Sequence, residues 1–74
     1  MDPYESLFEE MLTAQEEKLF TMGRKIVPYL TREDILQPND FPELENHPLF
    51  RYEEGVLEGM RSALVALRAK KMDS

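Results

Sequence analysis

The chain contains no cysteine. That removes disulfides and thiolate metal sites from the means by which a small domain can be held together. It has one histidine, His47, too few nitrogen ligands for a zinc site of the usual kind. No apolar run approaches the ~20 residues that cross a bilayer. Bases are scarce: nine Lys and Arg stand against fifteen Asp and Glu, for a net charge of −6 and a pI near 4.7. Nucleic acid and anionic membranes both demand clustered Lys and Arg, so neither is expected as a partner. The opening Met-Asp-Pro-Tyr-Glu-Ser is acidic where a signal peptide is basic and then apolar, so a cytoplasmic location is the expectation. Gly-rich phosphate loops and nucleophile elbows are missing too.

What remains is 74 residues with 42% hydrophobic content, enough for one folded domain spanning 1–74. A core of this size has little margin over chain entropy. With disulfides and metals excluded, association with a protein partner is the remaining route, and self-association as a homodimer is its simplest form.

The run from Leu36 to Pro48 holds three of the five prolines. Proline fixes φ and lacks an N–H, so no regular helix passes through this run. It divides the chain into two arms. In the first, Asp2 is a candidate N-cap, Pro3 suits the first helical position and Glu5 stands where a capping-box acid reaches back. At about 100° per residue, Tyr4, Leu7, Phe8, Met11, Leu12, Leu19, Met22 and Ile26 share one face, and Glu9, Glu10, Glu16, Glu17 and Arg24 the other. The pattern predicts a helix over about 3–27. Gln15 interrupts the stripe, either as a core-edge amide bonded to its neighbours or as a polar residue that fixes register against a partner helix. Phe20 and Val27 point off the stripe at a common angle and mark a candidate second contact surface.

In the connector, Thr31-Arg32-Glu33-Asp34 has the cap-then-acid pattern of a helix start, predicting a short helical turn over about 32–36. Asn39-Asp40 is turn chemistry. Phe41, Leu44 and Leu49 are apolar anchors for an ordered but irregular segment. The second helix is expected over about 48–71, capped by Asn46 or His47 with Pro48 at its start. Leu49, Phe50, Tyr52, Val56, Leu57, Met60, Ala63, Leu64 and Leu67 form its apolar face. Beside it run Gly55, Gly59, Ser62, Ala63 and Ala66. Helical glycines cost roughly 1 kcal/mol each against alanine, so this row predicts a close approach of another backbone: the first arm or the connector within the monomer, or a dimer seam. The row with Phe20 and Val27 makes the candidate interaction surface Phe20, Val27, Gly55, Gly59, Ala63 and Ala66.

Charge supports a hairpin. Residues 2–17 carry six acids and no base, and the second arm ends in Arg68, Lys70 and Lys71; antiparallel packing sets these side by side. The fold expected is therefore all-α, an antiparallel helical hairpin that associates into a bundle. Small secretion chaperones are similar in size and charge, a likeness of architecture without a residue-level match.

Chemistry has few candidates. His47 is expected to cap or to face solvent. The Glu-x-x-His pairs of di-iron bundles and the EF-hand ligand pattern are both absent, so no metal or cofactor is expected. Glu53 falls within the apolar arc and needs a partner; Arg24, Lys25 and Arg32 are the sequence-plausible bases. Asn39, Asp40, Arg51, Tyr52 and Glu53 form a candidate polar patch. The function expected is a non-enzymatic protein–protein interaction module: an adaptor, small chaperone or regulator. The alternative is an acidic inhibitor whose Glu9, Glu10, Glu16 and Glu17 occupy a basic nucleic-acid-binding site on a partner protein. An active site would have to be assembled across a dimer from Arg51, Tyr52, Glu53 and His47, which no recognised spacing links.

Overall fold

The computed structural model describes residues 2–36 and 40–73, with the side chains of all of these except Leu36 and Asp73. It is all-α. Helix α1 spans Pro3–Ile26, a 3-10 turn spans Asp34–Leu36, α2 spans Pro42–Glu45 and α3 spans Pro48–Asp73. The two long helices pack against each other as a hairpin, 44 Å long and 17–18 Å across. Asn39, assigned above to a turn, lies outside the described residues.

Helix α1 starts as its sequence predicts. The Asp2 carboxylate accepts from the N–H of Tyr4 at 2.7 Å and of Glu5 at 3.4 Å, with Pro3 in the first turn. Glu5 does not close a capping box; it reaches to Arg68 and Lys71 of α3 instead. The helix ends at Ile26 because Pro28 disfavours helical geometry at the residue before it. Val27 accordingly turns extended, at φ −124° and ψ 93°. The Arg24 guanidinium donates to the Pro28 carbonyl from Nε (3.3 Å) and Nη2 (3.1 Å), holding the turn-off. This departure corrects the expectation for Val27. A helical wheel placed it on the exposed side, but the extended backbone swings it into the core, where it is 2% exposed.

In the connector, the Asp34 N–H donates to Thr31 Oγ1 (3.3 Å) and the Thr31 N–H donates to Asp34 Oδ2 (2.9 Å), the reciprocal pairing of a capping box. The segment that follows is more regular than expected. Pro42 stands in the first turn of α2, where its missing N–H costs nothing. Leu44 from this short helix is fully buried, whereas Leu49, also expected to anchor, is 65% exposed. Asn46 closes α2 by donating from Nδ2 to the Pro42 carbonyl (3.0 Å). His47 opens α3, its Nδ1 accepting from the Phe50 N–H (3.3 Å).

The buried apolar cluster sits at the connector end: Leu19, Val27, Leu30, Leu44, Phe50 and Leu57, with Leu12, Met22, Ile26, Ile35 and Phe41 packed around it. Gly23 packs against it with no room for a side chain. A Cβ there would lie 2.5 Å from Leu30 Cδ2, 3.3 Å from Ile35 Cδ1 and 3.5 Å from Phe50 Cε2. The close approach expected along Gly55 and Gly59 is therefore made elsewhere: nothing lies within 4 Å of a Cβ at either. That row faces away from buried Leu57 and Leu64 and accommodates neither α1 nor the connector.

Gly23→Ala should lower unfolding free energy by about 1–3 kcal/mol, the usual cost of overpacking a filled site. Gly55→Ala should raise it by up to ~1 kcal/mol through helix propensity alone. Urea denaturation of both variants decides; a neutral Gly23→Ala would show that Leu30 gives way freely.

Candidate functional site

The two long sides of the hairpin differ in chemistry. One is charged. Arg68 meets Glu9 at 2.8 Å and Glu5 at 3.6 Å. Arg61 meets Glu58 at 2.9 Å and Glu16 at 3.7 Å. Arg32 from the connector pairs with Glu17. At the open end Lys71 reaches Glu5 (2.5 Å) and Asp2 (3.6 Å). The Lys71 hydrogen bond, with the charges of Lys71 and Arg68, holds the Glu5 carboxyl below its usual range. Arg32 does the same for Glu17. Exposed pairs contribute about 0–1 kcal/mol each, but their signs fix the antiparallel direction. Phe20 lies on this side. The guanidinium of Arg32 stands 4.5 Å from its ring centroid and that of Arg24 5.7 Å, so two cations cover the ring.

The other side is apolar. Lys18 Nζ bridges to Glu53 Oε2 at 2.8 Å, which joins one flank of α1 to one flank of α3. At 100° per residue, Tyr4, Leu7 and Met11 share the Lys18 flank of α1. Val56, Met60, Ala63 and Leu67 occupy the Glu53 flank of α3. Tyr4 is 66% exposed, Leu7 51% and Met11 38%, although the sequence pattern assigned all three to the buried stripe. Val56, Met60 and Leu67 are half-buried and Ala63 is exposed. The result is a ribbon of apolar surface, supplied by both helices, along one side of the hairpin.

A polar latch crosses the inner end of this ribbon. Gln15, 8% exposed, donates from Nε2 to the Glu53 backbone carbonyl and to Glu53 Oε1, both at 2.9 Å. Lys18 takes the second carboxylate oxygen. The hydrogen bond from Lys18, then that from Gln15, holds the Glu53 carboxyl below its usual range. Two residues singled out separately in the sequence thus satisfy each other. The bases expected for Glu53 are not its partners: Arg24 binds the Pro28 carbonyl, Arg32 binds Glu17, and Lys18 is the base that reaches it.

The expected polar patch does not assemble as one unit. Asn39 is outside the described residues. Asp40 is exposed, Tyr52 is 67% exposed, and Arg51 pairs with Glu54 on its own helix at 3.0 Å, while Glu53 turns to α1. In the expected interaction surface, Phe20 is capped by arginines and Val27 is in the core. Gly55, Gly59, Ala63 and Ala66 are exposed, with Ala63 alone falling on the apolar flank of α3. Tyr4, Leu7 and Met11 were missed as surface residues; the signal was an apolar arc on α1 wider than one neighbouring helix covers. Among the described residues, no group of three or more His, Cys, Asp or Glu is arranged to hold a metal, and no helix is long and apolar enough to cross a membrane.

Comparison with protein-family models, with curated proteins and with solved structures gave no match.

Gln15→Ala should cost about 1–3 kcal/mol, and a double-mutant cycle with Glu53→Ala should show a coupling of about 1 kcal/mol; a coupling of zero would dissolve the latch as an energetic unit. The folded-state pKa of Asp2, Glu5, Glu17 and Glu53 is lowered. Their contribution is therefore present above the ordinary carboxylate range and lost as the pH falls through the lowered folded values. Thermal melts should be level near neutrality and fall in acid, and Glu53→Gln should flatten part of that fall.

Proposed function

We propose that this chain is a non-enzymatic protein–protein interaction module that binds through the apolar side of its hairpin, acting as an adaptor, small chaperone or regulator. The observation that carries this reading is the run of exposed apolar side chains on one flank of α1, continued by the adjoining flank of α3. Tyr4, Leu7 and Met11 follow one another at helical spacing on one flank, at 38–66% exposure, beside half-buried Met60 and Leu67 of α3. Contiguous apolar surface rimmed by polar groups is the mark of a binding face. The latch supports the same reading: Glu53 has a partner for each carboxylate oxygen, so the ribbon makes no unmet polar demand on whatever covers it.

A non-enzymatic role is supported by the use made of His47, whose Nδ1 is taken up in capping α3. Glu53, Arg51 and Tyr52 diverge rather than converge, which leaves no common point at which they act on a substrate. The inhibitor reading has less support. Glu9, Glu16 and Glu17 each engage an arginine of the same chain, and binding a basic partner through them would require those pairs to break.

A photoreactive amino acid at Leu7 or Leu67 should give covalent protein adducts in cells, a second copy counting as a partner. The same probe at Thr13 or Ser62, exposed positions off the ribbon, should give little. Adduct yield at Leu7 should change by less than about twofold between low and high salt, since apolar contact is screened far less than charge pairing. Equal labelling at all four positions would sink the assignment of the face.

A further inference from the structure

We infer that the partner on this side is a second copy of the chain, docked open end to open end so that two hairpins complete a four-helix bundle. This rests on the reading of the apolar side as a binding face and adds the identity of the occupant.

The first argument is where the core stops. Gln15 is the buried residue of α1 nearest its N-terminus. Of the buried apolar side chains of α3, Leu64 is the one nearest the C-terminus, and the described residues of the last third of that helix supply none. The ends of the two helices are joined by exposed pairs of Glu5, Glu9 and Asp2 with Arg68 and Lys71, which are weak individually, and half-buried Phe8 and Leu67 add little covered surface there. Tyr4, Leu7 and Met11 are exposed at this same end. A hairpin half with so small a core of its own gains a larger one when a second such half closes over it, and four helix ends crossing at about 20° form the standard bundle.

The second argument is charge. Residues 2–12 carry four acids, Asp2, Glu5, Glu9 and Glu10. Residues 60–73 carry four bases, Arg61, Arg68, Lys70 and Lys71, and one acid, Asp73. The open end is thus net −1, and the other five of the chain's six excess negative charges lie in residues 13–59. Two copies that meet at their open ends bring together near-neutral surfaces and keep the acidic connector ends apart. A two-fold contact places each patch on itself, which an uncharged ribbon tolerates and a strongly charged one does not.

The third argument is area. The chain exposes 5275 Å², about 500 Å² more than the ~4,700 Å² expected of a folded monomer of this mass. A standard interface takes about 800 Å² from each partner. The excess is of that order, and on the apolar ribbon exposed Tyr4, Leu7 and Met11 of α1 lie beside half-buried Met60 and Leu67 of α3.

Light scattering after size exclusion, on the full chain, should give about twice the 8.7 kDa chain mass at tens of micromolar, and dilution should dissociate it. Leu7→Glu should raise the dissociation constant by at least about tenfold, equivalent to ~1.4 kcal/mol. Crosslinking provides a measure that does not depend on how Leu7→Glu affects folding. The chain has no cysteine, so Ala63→Cys should oxidise to a covalent dimer at concentrations where Glu43→Cys, at the connector end, does not. A chain that remains monomeric at hundreds of micromolar, or equal crosslinking from Ala63→Cys and Glu43→Cys, overturns the inference. A monomeric chain whose Leu7 probe still labels other proteins would overturn self-association alone. Absence of any preferred labelling on the ribbon would remove the binding face with it.

Discussion

The hairpin depends on one close approach, at Gly23. Leu30 and Ile35 from the connector and Phe50 from α3 all come within 3.5 Å of where a side chain would begin. The connector and the start of α3 thus converge on a single turn of α1. A helical glycine costs about 1 kcal/mol in propensity; here it lets fully buried Phe50 seat against α1, where burying a side chain of that size contributes about 1.5–3 kcal/mol. The local signals serve this convergence. Pro28 ends α1 and throws Val27 inward, the Thr31–Asp34 pair sets the 3-10 turn, and His47 with Pro48 starts α3 at the point from which Phe50 can return.

From that point burial declines toward the termini. The connector end has Leu19, Leu44, Phe50 and their neighbours, whereas the open end has charge pairs. These specify direction well, because the acids of early α1 find the bases of late α3 only when the helices run antiparallel. They stabilise it little, being exposed and screened. A fold graded this way opens first at its low-stability end, which is also the end that carries the exposed apolar residues.

Much of this was legible in the sequence. The 3.6-residue periodicity gave both long helices to within a residue or two at their ends, since Asp2-Pro3 and His47-Pro48 start them and Pro28 stops the first. Charge order gave the antiparallel direction. What escaped was whatever needed three dimensions. Val27 was misplaced because a wheel assumes helical geometry at a residue that Pro28 forces out of it. Gly23 and the Gly55–Gly59 pair look alike in one dimension; only the return of Leu30 and Phe50 separates a glycine under pressure from two in open space. The helix α2 was read as irregular because Pro42 interrupts a pattern when approached from before it and begins one when approached from after. Gln15 and Glu53 were each recognised as out of place, yet their pairing depends on inter-helix register, which neither helix encodes alone.

That pairing explains why the apolar surface divides as it does. The stripe on α1 runs from Leu7 round to Leu12, about 140° of the wheel at 100° per residue, and a single neighbouring helix covers less than this. Near the connector the surplus is taken up by Leu30, Ile35 and Phe41, which pack against the buried cluster or belong to it. Beyond Gln15 no such third layer exists among the described residues, and the flank bearing Tyr4, Leu7 and Met11 stays uncovered. The Gln15–Glu53–Lys18 latch stands at this boundary. A buried amide and a carboxylate within an apolar stripe weaken a core unless both are satisfied, and here each satisfies the other where the connector's cover ends. The latch therefore marks the limit of what the hairpin can bury for itself, and the exposed ribbon beyond it follows from the same geometry that makes the connector end self-sufficient.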